Sequence, residues 1–276
     1  MRTWFITGAS RGFGALIAAE ALAAGDRVVA TGRNAKAVAD RLGERPALLA
    51  LPLDVTRENQ AQAAVAAAIE RFGRIDVLVN NAGYGLLGAI EETSGPEVER
   101  LFATNVFGLL AVTRAALPAM RRQRAGHIIN FSSIGGYEGH MGFGVYCATK
   151  FAVEGITEAL AAELAPLGIK ATVVEPGFFR TDFLDGQSLV NTAPIADYAG
   201  TVGAVRSFAA GANHAQPGDP AKLATAILAL AGAENPPLRL ALGSDTVALI
   251  ERKNRSVIDE LARWRSLSLS TDFAAS

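Results

Sequence analysis

Tyr146 and Lys150 stand four residues apart in the stretch VYCATK. On a helix, positions four apart share one face. A phenol has an unperturbed pKa of about 10 and by itself is a poor proton shuttle at neutral pH. A cation about 4 Å away is worth roughly 4 kcal/mol at an effective dielectric of about 20, or about 3 pKa units. Desolvation works against that shift, which is therefore a ceiling. The ceiling carries the phenol into the range where general acid–base catalysis is most effective. The alternative is an ordinary tyrosine–lysine couple on an exposed helix face, so the rest of the chain has to supply the context.

A second group of residues could handle phosphate. Thr7 to Gly14 read TGASRGFG, which puts Gly8, Gly12 and Gly14 in a G-x-x-x-G-x-G spacing, with Ser10, Arg11 and Phe13 between them. The turn follows a strand-like run and opens an Ala/Leu-rich segment. In that position glycines let the backbone approach a diphosphate, which rests on the helix N-terminus. A site for NAD usually carries an acid after the second strand, for the ribose 2′-hydroxyl. Ala30 to Asn34 read ATGRN and contain none. Arg33 stands there instead, and with Arg11 it offers bidentate guanidinium groups for a 2′-phosphate. The expected cofactor is NADP(H).

These residues need elements to hold them. β-Branched runs predict strands at Thr3–Thr7, Arg27–Thr31, Ala47–Leu53, Ile75–Asn80, His127–Ser132, Lys170–Glu175 and Leu238–Leu242. Helical patterns at Phe13–Ala24, Asn34–Leu42, Glu58–Phe72, Pro96–Arg121, Tyr146–Leu167 and Pro220–Ala231 alternate with them, and a last helix covers Ser244–Arg265. Strands such as IDVLVN are apolar on both faces, as in a sheet covered by helices on both sides. The fold class is therefore α/β, a doubly wound Rossmann-type parallel sheet of seven strands, in a single domain over residues 1–276. Residues 178–218 break the rhythm and read as a substrate lid inserted into that domain. Apolar residues on Pro96–Arg121 spread beyond one stripe, which suggests burial against both the sheet and a second subunit.

Composition narrows the partners. The 276 residues are half hydrophobic and carry a net charge of −1. No global basic field invites nucleic acid or an anionic membrane. No uncharged apolar run reaches bilayer length. The single cysteine, Cys147, forms no internal disulfide, and the N-terminus has no signal-type segment; the expected location is cytoplasmic. The three histidines, His127, His140 and His214, lack ligand spacing, so no metal is expected.

The motifs taken together resemble the short-chain dehydrogenase/reductase family. They are TGASRGFG, LDVT (Leu53–Thr56), NNAG (Asn80–Gly83), NVFG (Asn105–Gly108), INFSS (Ile129–Ser133), YCATK and PGFFRT (Pro176–Thr181), in family order over about the first 180 residues. The chain is most similar to the shorter, single-domain branch, in its 17β-hydroxysteroid-dehydrogenase-like group. The resemblance implies Tyr146 as general acid/base, Lys150 as its electrostatic partner and ribose contact, Ser133 as substrate-binding serine, and Asn105 as the residue positioning a water in the proton relay. It implies Asp54 and Val55 at adenine, Asn81, Ala82 and Gly83 along the cofactor, and Pro176, Gly177 and Thr181 facing the nicotinamide. By position in that fold, Ile134, Tyr137, His140, Phe143, Phe178 and Phe179 surround a lipophilic carbonyl or alcohol substrate. It also implies a homodimer or homotetramer. Two rival readings are a dinucleotide-binding sensor without chemistry and a nucleotide-sugar isomerase or dehydratase. The present Tyr–Lys pair speaks against the first, and the glycine spacing against the second.

Overall fold

The computed structural model describes residues 1–273. Strands and helices alternate from the N-terminus: β1 (Thr3–Ile6), α1 (Gly12–Ala23), β2 (Arg27–Gly32), α2 (Ala35–Leu42), β3 (Leu48–Pro52), α3 (Glu58–Phe72) and β4 (Val77–Asn80). There follow β5 (Gly85–Leu87), α4 (Gly95–Phe102), α5 (Leu109–Gln123), β6 (Gly126–Phe131), α6 (Gly144–Leu164), β7 (Ile169–Pro176) and β8 (Leu189–Asn191). The chain closes with α7 (Val202–Ala212), α8 (Pro220–Gly232), β9 (Arg239–Leu242) and α9 (Ser244–Leu269).

Seven strands form one parallel sheet in the order β3-β2-β1-β4-β6-β7-β9. Alternating residues of β1 feed two cores. Trp4 and Ile6 pack with Ile17, Ala21, Leu223 and Ile227 of α1 and α8. Phe5 faces the other way, with Val65, Val112, Met120 and Leu160 of α3, α5 and α6. Helices therefore cover both faces, and the inner strands are buried on both while the edge strands β3 and β9 are half-buried. The chain leaves β1 toward β2 on one side and returns to place β4 on the other. That reversal opens a crevice at the carboxyl ends of β1 and β4, the place where ligands bind in such sheets.

Two expectations need correction. The predicted helix Pro96–Arg121 is interrupted by a π-helical turn, Ala103–Gly108, which contains Asn105. The whole run Gly95–Gln123, though it carries charged residues, is long and apolar enough to cross a bilayer, and half of its most apolar window is buried in the fold. Residues 178–218 are not irregular throughout: they carry α7 and β8, and β8 pairs in parallel with β5 as a separate two-stranded sheet.

Candidate active site

The nucleotide end of the site is built from the loops that follow β1 and β4. Thr7 Oγ1 accepts the backbone N–H groups of Asn81 and Ala82, both at 3.0 Å. Asn81 Nδ2 donates back to the carbonyls of Thr7 at 2.9 Å and Gly8 at 3.1 Å. Gly8 has φ +67°, a conformation open chiefly to glycine. At Gly14 a Cβ would lie 2.5 Å from the Gly8 carbonyl oxygen, so this glycine permits the helix to close on the turn and does not itself line the cavity. Gly8, Ser10, Arg11, Gly12, Phe13, Arg33, Asp54, Val55, Asn81, Ala82 and Gly83 all line it. Arg33 is exposed. Arg11 donates to the side-chain and main-chain oxygens of Gln187 in the 178–218 segment. Asp54 accepts the N–H and hydroxyl of Thr56, at 3.0 and 2.7 Å. This open, glycine-lined turn at a helix N-terminus fits a dinucleotide diphosphate.

The chemical end lies on α6 and on the loop after β6. Tyr146 and Lys150 lie one helical turn apart, both buried. Lys150 Nζ donates to the Phe131 carbonyl at 2.9 Å and sits 5.7 Å from the Tyr146 ring centroid. Burial raises the Tyr146 pKa well above the ordinary tyrosine range, and a hydrogen bond with Ser133 opposes that rise. Burial also lowers Lys150 to about 8, with Glu154 opposing. The phenol pKa is therefore raised, not lowered. Its own desolvation is the largest effect on it, and the ammonium spends a hydrogen bond on Phe131. Pro176, Gly177 and Thr181 line the same cavity.

Asn105 does not line the cavity. Its amide holds the Tyr84 backbone on both sides, accepting from N at 3.1 Å and donating to O at 3.0 Å, and donates to Thr149 Oγ1 at 3.2 Å. It remains close to the ammonium: a Cβ on Gly83 would lie 3.1 Å from Asn105 Oδ1 and 3.8 Å from Lys150 Nζ. π-Turns recur at functional sites because they re-aim a side chain without ending the helix.

The substrate end is apolar. Phe143 and Phe183 flank the Tyr146 ring at centroid distances of 6.2 and 5.7 Å. Ile134, His140, Phe178 and Phe179 line the same cavity. Phe13, Phe131 and Phe179 also line it, with the Phe13 ring tilted against Phe131 at 5.8 Å and edge-on to Phe179 at 5.5 Å. Burial lowers the pKa of His140. Tyr137 is a correction: it does not line the cavity, because its hydroxyl bonds to Asn254 and its ring lies 5.7 Å from the Arg239 guanidinium. The sequence reading missed Gln187, Ser188, Val190, Val205, Phe208 and Gln216, which line the cavity from the 178–218 segment. The spacing of Val202, Val205 and Ala209 was the available signal for α7. Asp182, Asp185 and His214 also come together at the lid base, with ligand-type atoms within 4.8 Å, a grouping their spacing does not reveal.

One continuous cavity of about 960 Å³ joins the glycine turn to Tyr146, Ser133 and the 178–218 segment. A dinucleotide turn sharing its crevice with a proton-handling phenol and a buried ammonium is the arrangement of a dinucleotide-dependent oxidoreductase. The chain belongs to the short-chain dehydrogenase family, whose model, described as short chain dehydrogenase, matches residues 2–190. It is 38% identical over 272 residues to Oxidoreductase BOA17 of Botryotinia fuckeliana, covering 98% of this chain and 99% of that one. It is 38% identical over 261 residues to the 3-ketodihydrosphingosine reductase of Bacteroides thetaiotaomicron, covering 94% of each. Among solved structures, a short-chain dehydrogenase from Streptomyces avermitilis superposes with a TM-score of 0.91 at 43% identity, covering 99% of this chain and 100% of that one. A Burkholderia phymatum family member in complex with NAD gives 0.83 at 25% identity, covering 94% and 95%. A serine dehydrogenase complexed with NADP+ gives 0.74 at 28% identity, covering 87% and 94%.

Proposed function

We propose that this chain is an NADP(H)-dependent oxidoreductase that reduces a lipophilic ketone or aldehyde to an alcohol, or runs the reverse reaction. The observation that carries the proposal is the single cavity in which Tyr146 and Ser133 face the glycine turn across an apolar wall. The nicotinamide, when bound, supplies or accepts the hydride. The rest of the work falls to the protein. Tyr146 gives its hydroxyl proton to the carbonyl oxygen as negative charge develops there, and Ser133 donates a hydrogen bond to the same oxygen. Lys150 keeps a positive charge beside the phenol, offsetting the cost of the phenolate that remains. In the reverse direction Tyr146 takes the alcohol proton. Asn105 holds the Tyr84 backbone beside Lys150 and keeps that side of the site in place.

Preference for NADP(H) rests on Arg33 and Arg11 at the cavity wall and on the lack of an acid between Ala30 and Asn34. A lipophilic substrate is supported by Phe143, Phe178, Phe179, Phe183, Val205 and Phe208 around the reacting position. A relative named for a keto substrate, 3-ketodihydrosphingosine, agrees with reduction of a ketone. Residues 178–218 act as the lid over that substrate. Phe107 of the π-turn and Phe151 of α6 stay 59% and 48% exposed, which favours a homo-oligomer built on those helices. The test is a panel of ketones, aldehydes and alcohols, with NADPH and NADH followed by absorbance. Turnover of apolar carbonyls with NADPH supports the proposal, and turnover confined to highly charged substrates opposes it.

A further inference from the structure

Behind the catalytic set lies a cluster that the reaction as described leaves unused. Glu154 follows Lys150 by one turn of α6, and Glu175 comes from the end of β7; they are 5% and 0% exposed. Arg239 of β9 serves both, its Nη1 contacting Glu154 Oε2 and, at 2.9 Å, Glu175 Oε1. Its Nη2 goes to the more exposed Glu158 of α6. Glu154 Oε1 and Glu175 Oε2 are buried without a hydrogen-bond partner among the described residues. The remaining neighbours are Ser132, whose hydroxyl lies 3.5 Å from the Lys150 carbonyl, and Tyr137, whose ring lies beside Arg239. Ser132 directly precedes the substrate serine, Ser133.

Two carboxylates buried side by side do not both ionise readily when one guanidinium serves them and a third acid. A proton placed on one of the two relieves that repulsion. We propose that Glu154 and Glu175 hold one proton between them behind the active site, and that its release creates a carboxylate which keeps Lys150 in its ammonium form. Glu154 is then a positioning residue acting through Lys150. The directions agree. Burial pushes Glu154 up to about 7, with Glu175 adding to the rise and Ser132 and Arg239 opposing it. The same burial lowers Lys150 to about 8, and Glu154 is the charge that opposes this. As pH rises through neutrality Glu154 loses its proton, and the new negative charge favours the protonated lysine. Lys150 thus stays charged to higher pH than its burial alone would allow.

The inference rests on Lys150 serving the carbonyl chemistry proposed above, so the test has two arms. Infrared titration of the native protein should show the band of a protonated carboxyl persisting near neutrality and disappearing in Glu154→Gln; a native protein without that band overturns the shared proton. In the kinetic arm, the alkaline limb of the pH–rate profile for carbonyl reduction should move down by about one unit in Glu154→Gln. It should move back at least partly in Glu154→Asp and stay in place in Glu158→Gln. A uniform loss of rate in Glu154→Gln with the limb unmoved overturns the link to Lys150, leaving the oxidoreductase reading intact. Absence of turnover in the native enzyme would overturn that reading instead, and the infrared arm still decides whether the proton is shared. Should Glu154→Gln fail to fold, Glu175→Gln serves: freed of its partner, Glu154 should lose its proton at lower pH, and an unchanged infrared titration overturns the pair.

Discussion

At the scale of single residues, burial outweighs the local Coulomb interaction. Spacing alone places Tyr146 and Lys150 on one helix face, and they do lie there. Spacing does not reveal that both are buried, and burial of the phenol raises its pKa well above the ordinary range instead of lowering it. Cofactor choice is decided at this scale too. Arg33 is exposed at the cavity wall and free to reach a 2′-phosphate, whereas Arg11 already donates twice to Gln187. Arg33→Asp should therefore move the ratio of kcat/KM for NADPH over NADH toward NADH by at least tenfold, about 1.4 kcal/mol of a charge-assisted contact. An unchanged ratio would show that Arg33 does not contact the phosphate. Tyr137 illustrates the limit of position-based reading: its place in the chain points to the pocket, but Asn254 and Arg239 draw it away.

At the scale of elements, what was legible followed from side-chain pattern. The seven strands of the main sheet appear within a few residues of where β-branched runs put them, because burial on both faces writes a strong apolar signal. Strands β5 and β8 left no such signal. Each is three residues long, and they pair across about a hundred residues of chain. Helix α7 was also hidden, since its buried face rests on Val202 and the small Ala209. The segment that contains it, residues 178–218, is tied to the rest of the fold by a buried ion pair. The Glu92 side chain is fully buried and receives Arg206 Nη2 at 2.7 Å and the N–H groups of Ala89 and Ile195. Arg206, followed by these backbone donors, holds the Glu92 carboxyl down at about 2. A carboxyl with a lowered folded pKa stabilises above its unfolded value, and that contribution is lost as pH falls through the folded one. Amide exchange in α7 should accelerate as pH drops from about 5 toward 2, after correction for intrinsic rates, by more than in the central strands β1 and β4. Arg206→Ala should produce the same loosening at pH 7. Unaltered α7 protection in that variant would mean that the lid is held by its apolar contacts alone.

At the scale of the whole molecule, one buried histidine ties folding to pH. His127 lies in β6, 4% exposed, with Nε2 2.9 Å from Thr172 Oγ1 on the neighbouring strand. Burial lowers it to about 4, with the positive charges of Lys170 and Arg2 adding to the effect. The unfolded chain takes up a proton near 6.5 that the folded chain refuses. Stability from this residue is therefore complete above about 6.5 and is lost as pH falls toward 4, by about 3 kcal/mol over that span. The melting temperature should fall across this interval in the native protein and fall less in His127→Gln, which keeps a hydrogen-bonding side chain without the titration. Parallel curves for the two proteins would place the pH sensitivity elsewhere. The same parallel sheet that buries His127 also lines up β1, β4 and β6, whose carboxyl ends carry the glycine turn, the Asn81 loop and Ser133, so sheet stability and site geometry are linked.

The most direct measurement is the turnover of Tyr146→Phe on a carbonyl substrate that the native protein reduces with NADPH. The substitution removes one hydroxyl and leaves the buried ring between Phe143 and Phe183. The expected result is a folded protein with nearly unchanged NADPH affinity and a kcat lower by at least the 10² to 10⁴ that a general acid contributes. Substantial turnover by the variant on the same substrate would contradict the assignment of Tyr146 as the proton donor.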